Sequence, residues 1–180
     1  MMAMLMLLLA ADEGALRSAV EKAKDLAARV EAVKKLAGAK EEESIDVLMM
    51  ALKDPEKDVR KAAAEALETA DDAKGKAIQP LGVVLNGKTE DVEVRLAAAK
   101  ALGKAQFKAD AMEAMITCIS SITNADRGLH KFGADVTAVL STFSGKDYGA
   151  SKQTPMLWQQ WWADNKAKLR QEDAKKRAGK

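Results

Sequence analysis

Reactive side chains are scarce in this sequence, and their setting decides most of what it excludes. One cysteine, Cys118, and one histidine, His130, are all that 180 residues supply. A nucleophilic thiolate needs a neighbouring base or cation to lower its pKa. Cys118 lies in the apolar stretch "AMEAMITCISSI" with neither beside it. It reads as a small buried hydrophobe. Structural zinc takes four Cys or His ligands, so one of each excludes that site. A lone Cys also excludes an intramolecular disulfide. No Ser-His-Asp or Cys-His arrangement and no glycine-rich phosphate loop stands out. The carboxylates and lysines fall at helix-surface and turn positions, whereas catalysis wants them brought together in a cleft. The reading is a non-enzyme with no cofactor.

Three other sets of residues are suited to binding rather than reaction. Trp158, Trp161 and Trp162 are spaced i, i+3, i+4, so they share one helical face. Such a face can stack nucleic-acid bases, or it can cover an apolar surface; the cover is the preferred reading. Thr154 is a good N-cap for that helix and Pro155 a good first residue. Arg29, Arg60 and Arg95 are spaced at 31 and 35 residues, with His130 in the fourth equivalent place. A row of arginines can track phosphates or tie neighbouring segments together. Finally, "KAKLRQEDAKKRAGK" at the C-terminus is rich in Lys and Arg, and chain ends commonly carry solvated charge.

The elements that position these residues are helices. Alanine, the best helix former, occurs 35 times, while aromatics make up only 4% of the chain. Runs with strand alternation are nearly absent, so no sheet is expected. The segment "VRKAAAEALETA" (Val59–Ala70) recurs as "VRLAAAKALGKA" (Val94–Ala105), with eight of twelve positions identical. Before the first copy, "ESIDVLMMAL" puts Ile45, Leu48, Met49 and Leu52 on one face. Asp54 and Pro55 in "KDPEKD" end that helix and start the next, which buries Val59, Ala62, Ala63, Ala66 and Leu67. A second hairpin follows. Ile78, Leu81, Val84 and Leu85 face inward, with Pro80 in the first turn. "NGKTED" turns the chain, and Val94, Ala97, Ala98, Ala101 and Leu102 form the second stripe.

A third hairpin keeps the period where identity has faded. Met112, Met115, Ile116, Ile119 and Ile122 lie on its first helix, and Leu129, Phe132, Gly133, Val136 and Leu140 on its second. Leu129 follows Val94 by the same 35 residues that separate Val94 from Val59. Upstream, residues 13–24 and 26–37 make a first hairpin with Asp25 as N-cap, one long helix being the alternative. A two-helix unit of 31–35 residues is a solenoid repeat. One hairpin cannot bury its own stripe, so neighbours stack into a continuous core.

Charge is unevenly spread. Residues 12–75 carry 16 acidic and 12 basic groups, whereas residues 144–180 carry 4 and 9. The basic excess thus sits at the end of the chain, not along the repeated body. The opening "MMAMLMLLLAA" is too short to span a membrane as a helix. It has the apolar, small-residue character of a secretory signal, but no Lys or Arg precedes it and Leu9 fits poorly before a cleavage position. The expectation is export to the periplasm, with residues 1–11 as a signal remnant. A cytoplasmic chain with a hydrophobic helix start is the alternative.

"ALKDPEKDVRKAAAEAL" resembles a HEAT repeat, with Asp-Pro near the turn, then Val-Arg, then an Ala-rich helix ending in Ala-Leu. The likeness covers about Ala27 to Leu140. "SGKDYGASKQTPMLWQQWWADNKAKL" resembles the closing element of bacterial, often exported, HEAT-repeat proteins, in which a Gly-Lys-Asp-aromatic-Gly loop precedes Trp-x-x-Trp-Trp. The resemblance implies a short right-handed, all-α solenoid of three to four hairpins over residues 12–143. A capping loop and helix over 144–169 and a basic tail over 170–180 follow. It also implies that the Val-Arg arginines bond to acidic or carbonyl groups of adjacent turns, for which Asp58, Asp91 and Glu93 are at hand. Such proteins are non-catalytic scaffolds for other proteins; phycobilisome lyases and alkylpurine DNA glycosylases are HEAT-like enzymes and stand as the alternative. Second helices line the concave face in this family, so Lys61, Glu65, Leu96, Lys100, Lys131 and Asp135 form the candidate binding surface. The equivalent positions Lys34, Glu65, Lys100 and Asp135 alternate in sign. Ion pairs between repeats are therefore expected along that row. A self-neutralising row suits a protein partner better than nucleic acid, and the chain is expected to be monomeric.

Overall fold

The computed structural model describes residues 18, 20, 25–122, 127–149, 151 and 153–179. Among them the chain forms a short all-α solenoid with no strand. The helices are α1 (Leu26–Lys34), α2 (Glu42–Ala51), α3 (Lys57–Thr69), α4 (Ile78–Asn86), α5 (Val92–Leu102), α6 (Lys108–Ser121), α7 (His130–Ser144) and α8 (Thr154–Arg177). A 3₁₀ turn, Arg127–Leu129, leads into α7. Residues 1–11, and with them the expected signal, lie outside the described residues, as does most of 13–24.

Asp25 settles how α1 begins. Its backbone is extended, at φ −84° and ψ 122°, and its side chain accepts from the Ala27 N–H at 3.2 Å. A continuous helix through residue 25 is therefore ruled out, and α1 starts at an Asp cap as the sequence suggests.

The hairpins α2–α3, α4–α5 and α6–α7 stack in register. The second helices pack in a row, α1 on α3, α3 on α5, α5 on α7. The alanines of the duplicated segment make this possible. Ala62, Ala63, Ala64 and Ala66 of α3 and Ala97, Ala98, Ala99 and Ala101 of α5 are all buried. Small side chains let helix axes approach to the short end of the usual range, about 8 Å. Larger residues fill the space between the two rows: Leu48, Leu85, Leu102, Met112, Met115 and Leu140 are each under 2% exposed. Two glycines stand where a side chain would be crowded. A Cβ on Gly103 would stand 2.6 Å from Val139 Cγ1, and one on Gly82 3.2 Å from Ala114 Cβ.

The last helix breaks the pattern. After α7, Gly145 takes the left-handed conformation (φ 72°) that ends the helix. The chain then enters α8, which packs on α6. Its contacts run backwards along α6: Arg170 meets Glu113, Asp173 meets Lys108 and Ala109, and Lys176 meets Gln106. So α8 lies antiparallel to α6, whereas the first helix of a further repeat would run parallel to it. Reversed polarity ends the array. Thr154 is the first residue of α8 rather than its N-cap; it is buried, its hydroxyl accepting from Ser151 N–H at 2.8 Å. Trp158 is fully buried, edge-on to Tyr148 (4.9 Å between centroids) and to Trp161 (5.8 Å). Trp161 and Trp162 are half-buried.

The division at residue 169 does not hold as a boundary of structure. Helix α8 continues unbroken to Arg177, and its buried stripe runs through Thr154, Trp158, Trp161, Trp162, Asn165, Leu169 and Asp173. An apolar criterion stops at Leu169 because the next inward position is a carboxylate.

Candidate interaction surface

The start of α3 sets the geometry of the face between units. Lys57, Arg60 and Lys61 occupy its first turn and a half, next to the α4–α5 turn of the following unit. The Arg60 fork closes on Glu90 with two bonds of 2.7 Å. Its remaining nitrogen donates to the carbonyls of Asp54 (2.7 Å) and Pro55 (2.8 Å) in its own turn. One planar guanidinium thus ties two successive turns together, a geometry that lysine cannot copy. Arg60 holds the Glu90 carboxyl below the usual carboxylate range, and Glu90 in turn raises the guanidinium. On either side, Lys57 pairs with Asp91 at 3.2 Å and Lys61 with Glu93 at 2.6 Å. Asp91 is held low chiefly by the Glu93 N–H that it caps, then by Lys57.

The arginine row is structural over its described partners. One unit earlier, Arg29 pairs with Asp54 at 3.2 Å, again across to the next turn. One unit later, Arg95 is only 4% exposed. It donates to the Leu85 carbonyl at 2.8 Å and lies 4.4 Å over the Phe132 ring. The same sequence position is therefore an inter-turn clamp in one unit and a core residue in another. His130, fourth in the row, is exposed at the start of α7. The acids that bond to the arginines are not the expected Asp58, Asp91 and Glu93. Glu90 and Asp54 serve the arginines, while Asp91 and Glu93 serve lysines.

The expected alternating row does not form. Among the described residues no ion pair joins Lys34 to Glu65, Glu65 to Lys100, or Lys100 to Asp135. Lys34 pairs within its own helix with Glu31 at 3.1 Å, and Asp135 with Lys131 at 2.9 Å. Partners three or four residues away are held nearby by the helix itself, while a partner on the next helix must be reached across the stack. Pairs between units occur instead near the turns. Three further pairs bridge the outer side, where Lys76 meets Asp46 and Glu42, and Lys74 meets Glu42. Of the candidate residues, Lys61, Leu96 and Asp135 are half-buried, and Glu65, Lys100 and Lys131 are exposed. They lie on successive second helices, but Lys61 and Lys131 are already neutralised.

Cys118 is fully buried among these elements, and burial pushes its thiol up despite Arg95 nearby. Among the described residues no group of three or more His, Cys, Asp or Glu is placed to hold a metal ion. None of the described helices is long and apolar enough to cross a membrane.

Asp173 is the residue that sequence reasoning missed. It is 3% exposed and accepts from the backbone N–H groups of Lys108 (3.1 Å) and Ala109 (2.7 Å). Helix α6 has Phe107 at its N-cap, which offers no acceptor of its own. The signal was its spacing of four from Leu169, on the stripe begun by Trp158.

None of the curated proteins compared with the chain matches it. Residues 13–82 match the family model of HEAT repeats, and the hairpins beyond that match stack in the same way.

Proposed function

We propose that this protein is a non-catalytic scaffold whose second-helix face contacts another protein. HEAT repeats commonly serve as protein-interaction scaffolds, and residues 13–82 match them. The observation that carries the reading is charge compensation. Lys57, Arg60 and Lys61 are each matched by a carboxylate of the next unit. A nucleic-acid track draws its affinity from cations that release counterions, and these three are already spent on the fold. On this reading the chain works as a monomer and is exported, the export in keeping with the bacterial, often exported, HEAT-repeat proteins that its last segment resembles.

Two measurements test this. Photo-crosslinkers placed at Glu65 or Lys100, in an extract of the source cells, should give an adduct with one protein. The same probe at Gln79, on the first-helix side, should not. Adducts from Gln79 alone would put the contact on the wrong face. Duplex and single-stranded DNA binding is then measured at about 0.15 M salt, where phosphate-driven affinity is still clearly salt-dependent. The full chain is compared with K166Q/K175Q, which removes two exposed charges of α8. Tight, steeply salt-dependent binding by both proteins would replace the scaffold with a nucleic-acid reading.

A further inference from the structure

Helix α8 is held at its two ends by different physics. Its first half is anchored by apolar contact: Trp158 is fully buried, with Trp161 and Trp162 packed beside it. Its second half contributes one side chain to the edge of the core, Leu169. Charged and polar contacts also tie residues 166–177 to α6 and the turn before it. Arg170 pairs with Glu113 at 3.0 Å and Arg177 with Asp110 at 2.9 Å, all four side chains being about half exposed. Lys176 donates to the Gln106 carbonyl at 2.9 Å, and the Arg177 guanidinium lies 4.6 Å over the Phe107 ring. The buried Asp173 carboxylate receives the first two N–H groups of α6.

The turn that leads into α4 is served differently. Just ahead of α4, Asp72 accepts locally from the N–H groups of Lys76 and Ala77 at 2.9 and 2.8 Å. Helix α6 borrows its acceptor from a residue some 65 positions away in sequence. The capping of α6 is thereby coupled to the docking of α8.

We propose that residues 166–177 form a strap that releases from α6 as a unit while the tryptophan half of α8 stays seated. Release uncaps the N-terminus of α6. Docking of the strap is weakened by salt. Exposed ion pairs are screened at high ionic strength. The buried tryptophan contacts are not.

Hydrogen exchange on the full chain tests the device, comparing about 0.05 M with about 1 M sodium chloride, a range over which the screening length falls severalfold. The backbone amides of residues 108–112 and of 168–177 should exchange faster together at high salt. Two exposed pairs imply a rise of about threefold to thirtyfold. Amides of α5 and of residues 158–163 should not change. R170Q/R177Q should exchange quickly at both salt concentrations, with its salt dependence gone. D173N keeps the size and an acceptor oxygen but loses the charge, and should speed exchange in residues 108–112 even at low salt. Exchange of all of α8 at one rate would overturn the strap, as would strap amides that follow α5 at both salt concentrations. The wild-type comparison stands whether or not the variants fold.

Discussion

Arg60 shows how much of this fold rests on single side chains. Its fork spans two turns through Glu90 and two carbonyls. Removing one partner of such a pair leaves the other desolvated, so Glu90→Gln should cost about 1–3 kcal/mol in chemical denaturation. The pH dependence follows from the direction of the Glu90 shift. Its folded pKa lies below the unfolded value of about 4.3. The stabilisation is therefore complete above that value and is lost as pH falls through the folded pKa. The wild-type protein should lose stability more steeply than Glu90→Gln below about pH 4.5. Parallel acid limbs for the two proteins would show that the pair contributes nothing. Gly75 makes a second, independent case. It has φ +67°, and a Cβ there would stand 2.4 Å from the Phe107 ring. Gly75→Ala combines left-handed strain with overpacking and should cost about 2–4 kcal/mol. A loss under about 0.5 kcal/mol, the range of an ordinary surface change, would mean that the ring moves freely aside.

At the scale of elements, α8 replaces a repeat without being one. It supplies an apolar face to α6, but in reverse direction. Trp158 is its deepest side chain, and Trp158→Ala should cost about 3–5 kcal/mol, the usual range for deleting a buried large aromatic. Trp162→Ala removes a half-buried ring and should cost less. Thermal melts of both variants check the order. Wild-type melting for Trp158→Ala would mean that the ring is not packed in the core. The alanine stripes of α3 and α5 predict the opposite kind of sensitivity. Ala63 and Ala98 are wholly buried between stacked helices, so replacing either with Leu should destabilise by about 1–3 kcal/mol through overpacking.

For the whole molecule, the proposed export makes a direct prediction. Cleavage of the apolar N-terminal stretch would leave a mature chain beginning near Ala11 or Asp12. N-terminal sequencing of natively expressed protein should recover that end; intact Met1 or Met2 from the cytosol would refute export. The order of the solenoid itself was legible in the sequence. A spacing of 35 residues from Val59 to Val94, with apolar stripes of helical period, fixes the hairpins and their order, although the third equivalent position, Leu129, falls in the 3₁₀ turn ahead of α7 and not on the helix itself. Hydrophobic period alone does this, because each stripe must be covered by its neighbour.

Charge and polarity were not legible in the same way. Lys34, Glu65, Lys100 and Asp135 are equivalent in register, yet Lys34 and Asp135 pair with neighbours on their own helices. Which carboxylate a lysine meets depends on helix spacing and on how the turns converge, and sequence period carries neither. Arg60 and Arg95 are identical in type and place, but one clamps a turn and the other is buried over Phe132. The direction of α8 is the plainest instance. Its tryptophans announce a buried face, which local spacing determines. That the face is laid down antiparallel, so that Asp173 caps a helix far back in the chain, was decided only by tertiary packing. A buried carboxylate is stable only where unpaired N–H groups await it, and those belong to another element.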